Sequence, residues 1–106
     1  MIDLNKLSKQ AYEVAQRRES NGANIKIDII SMLKHCAGEV MEATEAYCDF
    51  VYEMTDEFEE KFHDEVADIM VCCFIISGYM QFDIELALNR VMEKNRLRAE
   101  KQGDKL

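Results

Sequence analysis

Proline is absent from the 106-residue chain, and glycine occurs only four times. Nothing in the interior therefore forces a helix to stop, and an all-helical fold follows. Long apolar runs are missing as well. The longest, Ile69 to Ile76, spans eight residues, far short of the ~20 that a membrane-spanning helix needs. The opening residues, Met1-Ile2-Asp3-Leu4-Asn5-Lys6, carry no apolar run of signal-peptide length. The expected location is cytoplasmic, with no membrane partner. Cysteine pairs in Cys-x-x-Cys spacing are also lacking. Cys36, Cys48, Cys72 and Cys73 thus give no zinc or redox motif and are expected to be reduced, small core residues.

Acids outnumber bases, and the formal net charge is -8. That balance disfavours a nucleic-acid partner. The distribution is more telling than the sum. Residues 39–68 hold twelve acids and one base, Lys61, whereas residues 90–106 hold six of the 13 bases. The middle suits a cation and the end suits an anion, although charge runs are commonly just solvated faces. Nearly half the residues are apolar, enough for one domain over residues 1–106 with one core.

Four helices are expected. The first runs from about Asn5 to Glu19, with Leu4, Leu7, Ala11 and Val14 as its apolar row. Ser20 to Asn24 forms a loop, with Asn24 as N-cap. The second helix extends from about Ile25 to Met54, its stripe being Leu33, Cys36, Val40, Tyr47 and Val51, widened by Ala37, Met41 and Cys48. Thr55-Asp56 makes a break with an N-cap. The third helix runs from about Glu57 to Met80, with Phe58, Phe62, Val66 and Ile69 on one side. From Ile69 to Ile76 it is apolar all round, which predicts burial on every side. So small a chain offers too little cover for that, so a homodimer or homotetramer built around this helix is expected. Phe82-Asp83 turns the chain, with Asp83 as N-cap. The fourth helix, Ile84 to about Lys101, packs through Ala87, Leu88 and Val91, and Gly103 follows it.

Two carboxylate pairs stand out. Glu39 and Glu42 lie three apart on the second helix, and Glu65 and Asp68 three apart on the third. Residues at i and i+3 are neighbours on a helix face. A short turn joins the two helices, which makes them antiparallel neighbours. The turn at Thr55 lies 13 residues after Glu42 and ten before Glu65. At about 1.5 Å rise per residue, the pairs reach similar heights. Four carboxylates together repel and call for a cation. Hard oxygen donors without His or Cys favour Mg²⁺, with Mn²⁺ as the alternative. Taken singly, Glu-x-x-Glu is most often a solvated face. Asp68 is harder to dismiss, because it shares a face with Val71, Cys72 and Ile75, which are expected to be buried. On the fourth helix Lys94, Arg98 and Lys101 form a cationic row with Asn95 beside it. Such a row suits phosphate oxygens, although cations also collect at helix C-termini because of the dipole.

Three motifs in order, Gly38-Glu39-Val-Met-Glu42-Ala, Asp64-Glu65-Val-Ala-Asp68-Ile and Lys94-Asn95-Arg96-Leu97-Arg98, resemble the all-α nucleoside triphosphate pyrophosphohydrolases of the MazG-like superfamily. The resemblance covers roughly residues 30 to 103. It implies a four-helix MazG-like bundle that cleaves nucleoside triphosphates to monophosphate and pyrophosphate. It implies Mg²⁺ held by Glu39, Glu42, Glu65 and Asp68. On physical grounds a carboxylate beside such an ion, Glu39 or Glu42, can help to deprotonate the attacking water. Lys94, Asn95 and Arg98 would contact the substrate's phosphates, within one subunit or across a boundary. Two positions depart from the family pattern. Gly38 stands where a first Glu is frequent, and Gln102 precedes Gly103 where many members have His. Two alternatives remain open, a non-catalytic helical interaction module and a phosphoribosyl-ATP pyrophosphohydrolase. A di-iron carboxylate bundle does not fit. That class uses Glu-x-x-His twice, and only Glu60-Lys-Phe-His63 has the spacing.

Overall fold

A computed structural model describes residues 1–102, and the expected stop at Gly103 lies outside them. Four helices and no strand are present among the described residues: α1 Leu4–Ser20, α2 Ile29–Glu53, α3 Asp56–Met80 and α4 Ile84–Gln102. No helix is long and apolar enough to cross a membrane.

The helix ends follow from local hydrogen bonds. Asp3 starts α1 by accepting from the Lys6 amide. Thr55 starts α3 by accepting from the Phe58 amide at 3.3 Å. Asp56, Glu57 and Glu59 then place negative charge in the first turn of α3, where the dipole favours it. Asp83 accepts from the Leu86 amide at 3.0 Å. Its other neighbour is Asn5, which donates to Asp83 at 2.9 Å and accepts from the Ile84 amide at 3.0 Å. Asn5 thereby ties the start of α1 to the start of α4. Met54 and Gln81 close α2 and α3 in the left-handed conformation, a role usually given to glycine.

The start of α2 differs from the sequence expectation. The N-cap is Asp28, not Asn24, and the helix begins at Ile29, not Ile25. Asp28 accepts from both the amide and the hydroxyl of Ser31, one at each carboxylate oxygen. Residues 25–27 are not helical. Ile25 and Ile27 both pack against the core, and the Ile27 amide donates to Glu19 at 3.2 Å. Alternation of apolar side chains, rather than a helical period, governs this segment.

The helices pack in the order α2–α3–α1–α4, α3 lying between α1 and α2 and α4 leaning on α1. The core is small: Ala15, Met32, Cys72 and Ile75, flanked by Ala11, Tyr12, Ile25, Ile27, Cys36 and Ile76. Where α1 meets α3, Ser8 and Ser77 are buried and hydrogen-bonded to each other. Each hydroxyl also lies within hydrogen-bond distance of the Phe74 carbonyl, at 2.8 Å for Ser8 and 3.0 Å for Ser77, so that one donates to the carbonyl while the other donates to its partner hydroxyl. Gly78 allows this approach.

Several expected core positions are surface in the single chain. Leu33, Val40, Met41, Tyr47 and Val51 on α2 are exposed, and the buried row is Met32, Ala43 and Ala46. The small alanines set the closest helix approach and push the bulky side chains to its flanks. On α1, Ser8 and Ala15 are buried while Val14 is exposed. Leu88 and Val91 of α4 are exposed, as is Val66 of α3. Of the cysteines only Cys72 is buried; Cys36 is intermediate, and Cys48 and Cys73 are exposed. Burial pushes the Cys72 thiol well up, with help from neighbouring Cys36. Its sulfur lies 3.5 Å from the Met32 carbonyl.

The run Ile69–Ile76 is not covered on every side by its own chain. Cys72 and Ile75 are buried, whereas Met70 and Val71 are about half exposed. The radius of gyration is 16.3 Å, against about 13 Å for a compact 100-residue domain.

Candidate metal centre

The antiparallel pairing of α2 and α3 sets the site. The helices meet along their length, with Tyr47 against Phe62 at a ring separation of 5.3 Å on the side nearer the turn. On the other side Cys72 reaches Met32. Between these two contacts, Glu39 and Glu42 of α2 converge on Glu65 of α3. One carboxylate oxygen from each lies within 4.8 Å of the others.

Burial differs among the three. Glu39 and Glu65 are half-buried and Glu42 is exposed. One oxygen of Glu39 and one of Glu65, Oε2 in each, are buried without a hydrogen-bond partner among the described residues. An orphaned buried carboxylate oxygen is costly. Two of them, on carboxylates that converge between α2 and α3, have the hard-oxygen character that Mg²⁺ prefers. The donor set therefore fits such an ion.

Electrostatics agree with the geometry. Burial raises the Glu39 carboxyl above the usual carboxylate range, and the charges of Glu42, Asp68 and Glu65 add to the rise. His35 pulls the other way; its Nε2 lies 3.1 Å from Glu39 Oε1, one turn earlier on α2. Glu65 is raised in the same manner, first by burial and then by Glu42 and Asp68.

Asp68 stands beside this trio but outside the set of converging oxygens. It is exposed, and its neighbour Val71, expected to be buried, is 46% exposed. Cys72 and Ile75 of the same face are buried as expected, so the face is open only on the Val71 side in the single chain. Asp68 still lies close enough to raise both Glu39 and Glu65.

Lys94 and Arg98 line a shallow groove of about 390 Å³ on α4, together with Arg90, Leu97, Lys101 and one acid, Glu93. Arg96 points elsewhere and is held by Glu93 and Glu100, each at 2.6 Å. Asn95 is half-buried. Because α4 leans on α1, the basic row and the carboxylates belong to different parts of the helix row. His35 was missed as a site residue. The available signal was its i, i+4 spacing to Glu39, a distance at which helix side chains meet. No family model, curated protein or solved structure matches the chain.

Proposed function

We propose that the chain is a magnesium-dependent nucleoside triphosphate pyrophosphohydrolase of the MazG-like kind. The observation that carries this reading is the convergence of Glu39, Glu42 and Glu65 from two helices, with two buried carboxylate oxygens left unpartnered. The three sequence motifs and the cationic groove on α4 support it.

In this reading Glu39, Glu42, Glu65 and Asp68 would hold Mg²⁺, which when bound neutralises and orients the triphosphate. Glu42, the exposed member of the trio, accepts the proton of the attacking water. Because the basic row lies apart from the carboxylates within one chain, Lys94 and Arg98 of a second copy would offset the charge that develops on the departing pyrophosphate, and Asn95 of that copy would donate to a phosphate oxygen. Attack at the α-phosphorus yields monophosphate and pyrophosphate. Hydrolysis in ¹⁸O-water tests the bond that breaks. Label in the monophosphate or pyrophosphate, with no free phosphate, is the expected result. Nucleoside diphosphate with labelled orthophosphate discards the reading.

The active form, in this proposal, is a homo-oligomer. Exposed Met70 and Val71 on α3, and exposed Leu86, Val91 and Met92 on α4, are apolar surfaces that a second copy would cover. Sedimentation at micromolar concentration is expected to give a dimer or tetramer, and a monomer refutes this part. The same exposed surfaces favour the rival, a helical interaction module. Absence of any magnesium effect on stability would establish that rival instead.

A further inference from the structure

Glu39 has two unlike oxygens. Oε2 is buried and without a partner. Oε1 lies 3.1 Å from His35 Nε2, one turn back on the same helix. The Glu39 side chain is only 14% exposed, whereas the His35 ring is about half exposed. The imidazole therefore holds one oxygen of a carboxylate that converges with Glu42 and Glu65, one oxygen from each lying within 4.8 Å of the others. A glutamate has three rotatable bonds, and holding one oxygen fixes where the other points. Carboxylates that bind metals are commonly held this way by an outer partner, and loss of the partner weakens the metal.

We infer that His35 is a positioning residue, which grips Glu39 Oε1 so that Oε2 is presented to a divalent cation between α2 and α3. This rests on the metal-site reading above. The chain carries its own control. His63 and Glu59 have the same i, i+4 spacing on α3, with Nε2 3.7 Å from Oε1, but the His63 ring is about two-thirds exposed, Glu59 is about half exposed, and Glu59 lies outside the carboxylate cluster.

The test uses Mn²⁺ as the probe, titrated into the full chain and followed by electron paramagnetic resonance. Wild type is expected to bind. His35→Ala should bind about 10–100-fold more weakly, His35→Gln should recover part of the loss through its amide donor, and His63→Ala should match wild type. Circular dichroism of the metal-free variants should be unchanged, since His35 is half exposed. In steady-state assays with saturating nucleotide, the His35→Ala defect should shrink as the metal concentration rises. That signature belongs to metal positioning and not to a purely structural role. If wild type binds Mn²⁺ and His35→Ala binds it equally well, the inference is overturned while the metal site stands. If wild type binds no Mn²⁺, the metal-site reading itself fails and the inference with it. Weaker binding in His35→Ala that His35→Gln does not recover, with altered circular dichroism, also overturns it.

Discussion

Glu65→Gln is expected to remove hydrolysis and, at the same time, to raise the melting temperature of the metal-free protein at neutral pH. The two effects have opposite signs because they come from the same charge. Glu65 converges with Glu39 and Glu42, and one of its oxygens is buried without a partner. In the absence of a cation that charge only repels its neighbours. Burial, Glu42 and Asp68 all raise its carboxyl above the ordinary range. A carboxyl raised in the folded state binds its proton more tightly there than in the unfolded chain. The associated stability is present below the unfolded pKa and is lost as pH rises through the folded one. The wild-type apo protein thus loses stability over that window, and Glu65→Gln loses less, because the raised Glu39 carboxyl still titrates in the variant. The stability gain of the variant should be largest at neutral pH and should fade on acidification. With magnesium present the order reverses, because wild type gains by mass action and the variant gains less. Loss of one converging donor should cost at least ~100-fold in turnover, since losing even an outer partner costs up to that much. Wild-type turnover in Glu65→Gln, or a lower apo melting temperature at neutral pH, would show that the convergence is not a metal site.

The two helical glycines, Gly38 inside α2 and Gly78 in the last turn of α3, should respond to substitution with opposite signs. A Cβ built on Gly78 falls 2.7 Å from the Ser8 carbonyl oxygen and 2.7 Å from Tyr12 Cβ. One is backbone and the other is fixed to it, so neither can swing aside. Gly78→Val must push α3 away from α1. That strains the Ser8–Ser77 pair and its bond to the Phe74 carbonyl. Overpacking of this kind costs about 1–3 kcal/mol, and exposing a buried polar pair adds to it. At about 4–8 °C per kcal/mol for a domain near this size, a fall of roughly 10 °C or more is expected. Gly38 has nothing within 4 Å of the corresponding Cβ. Gly38→Ala there recovers helix propensity of about 1 kcal/mol and should raise the melting temperature. Thermal unfolding of both variants decides the matter, and equal shifts would contradict the close approach at Gly78.

How much of this was legible in the sequence depended on how local each cause is. Thr55 and Asp83 announce their helices, because a cap acts within three residues. Asp28 was hidden by the isoleucines beside it, since Ile25 and Ile27 fit a helical or an extended pattern equally well in so short a run. The antiparallel register of α2 and α3 followed from counting residues to the turn, and it brought Glu39, Glu42 and Glu65 together. Asp68 could not be placed the same way. Its place at the mouth of an apolar face rests on Val71, Cys72 and Ile75; the last two are buried, but Val71 is exposed because the single chain does not cover that side of α3. The buried row of α2 escaped for a different reason. Apolar periodicity ranks side chains by size and greasiness, whereas Ala43 and Ala46 are buried because small residues permit close helix approach.

The order of packing, α2–α3–α1–α4, has a consequence for cooperativity. A closed bundle gives each helix two neighbours, so that removing one disturbs all. Here the helices form a row with two ends, and the row behaves more like a short repeat array whose stability is a sum over nearest neighbours. α4 sits at one end, held by α1 and by the Asn5–Asp83 clasp. It is the segment whose amides should exchange earliest with solvent, by detachment that leaves the α2–α3 pair intact. α3 is the opposite case. It cannot open without releasing both neighbours, so its amides report on global unfolding alone.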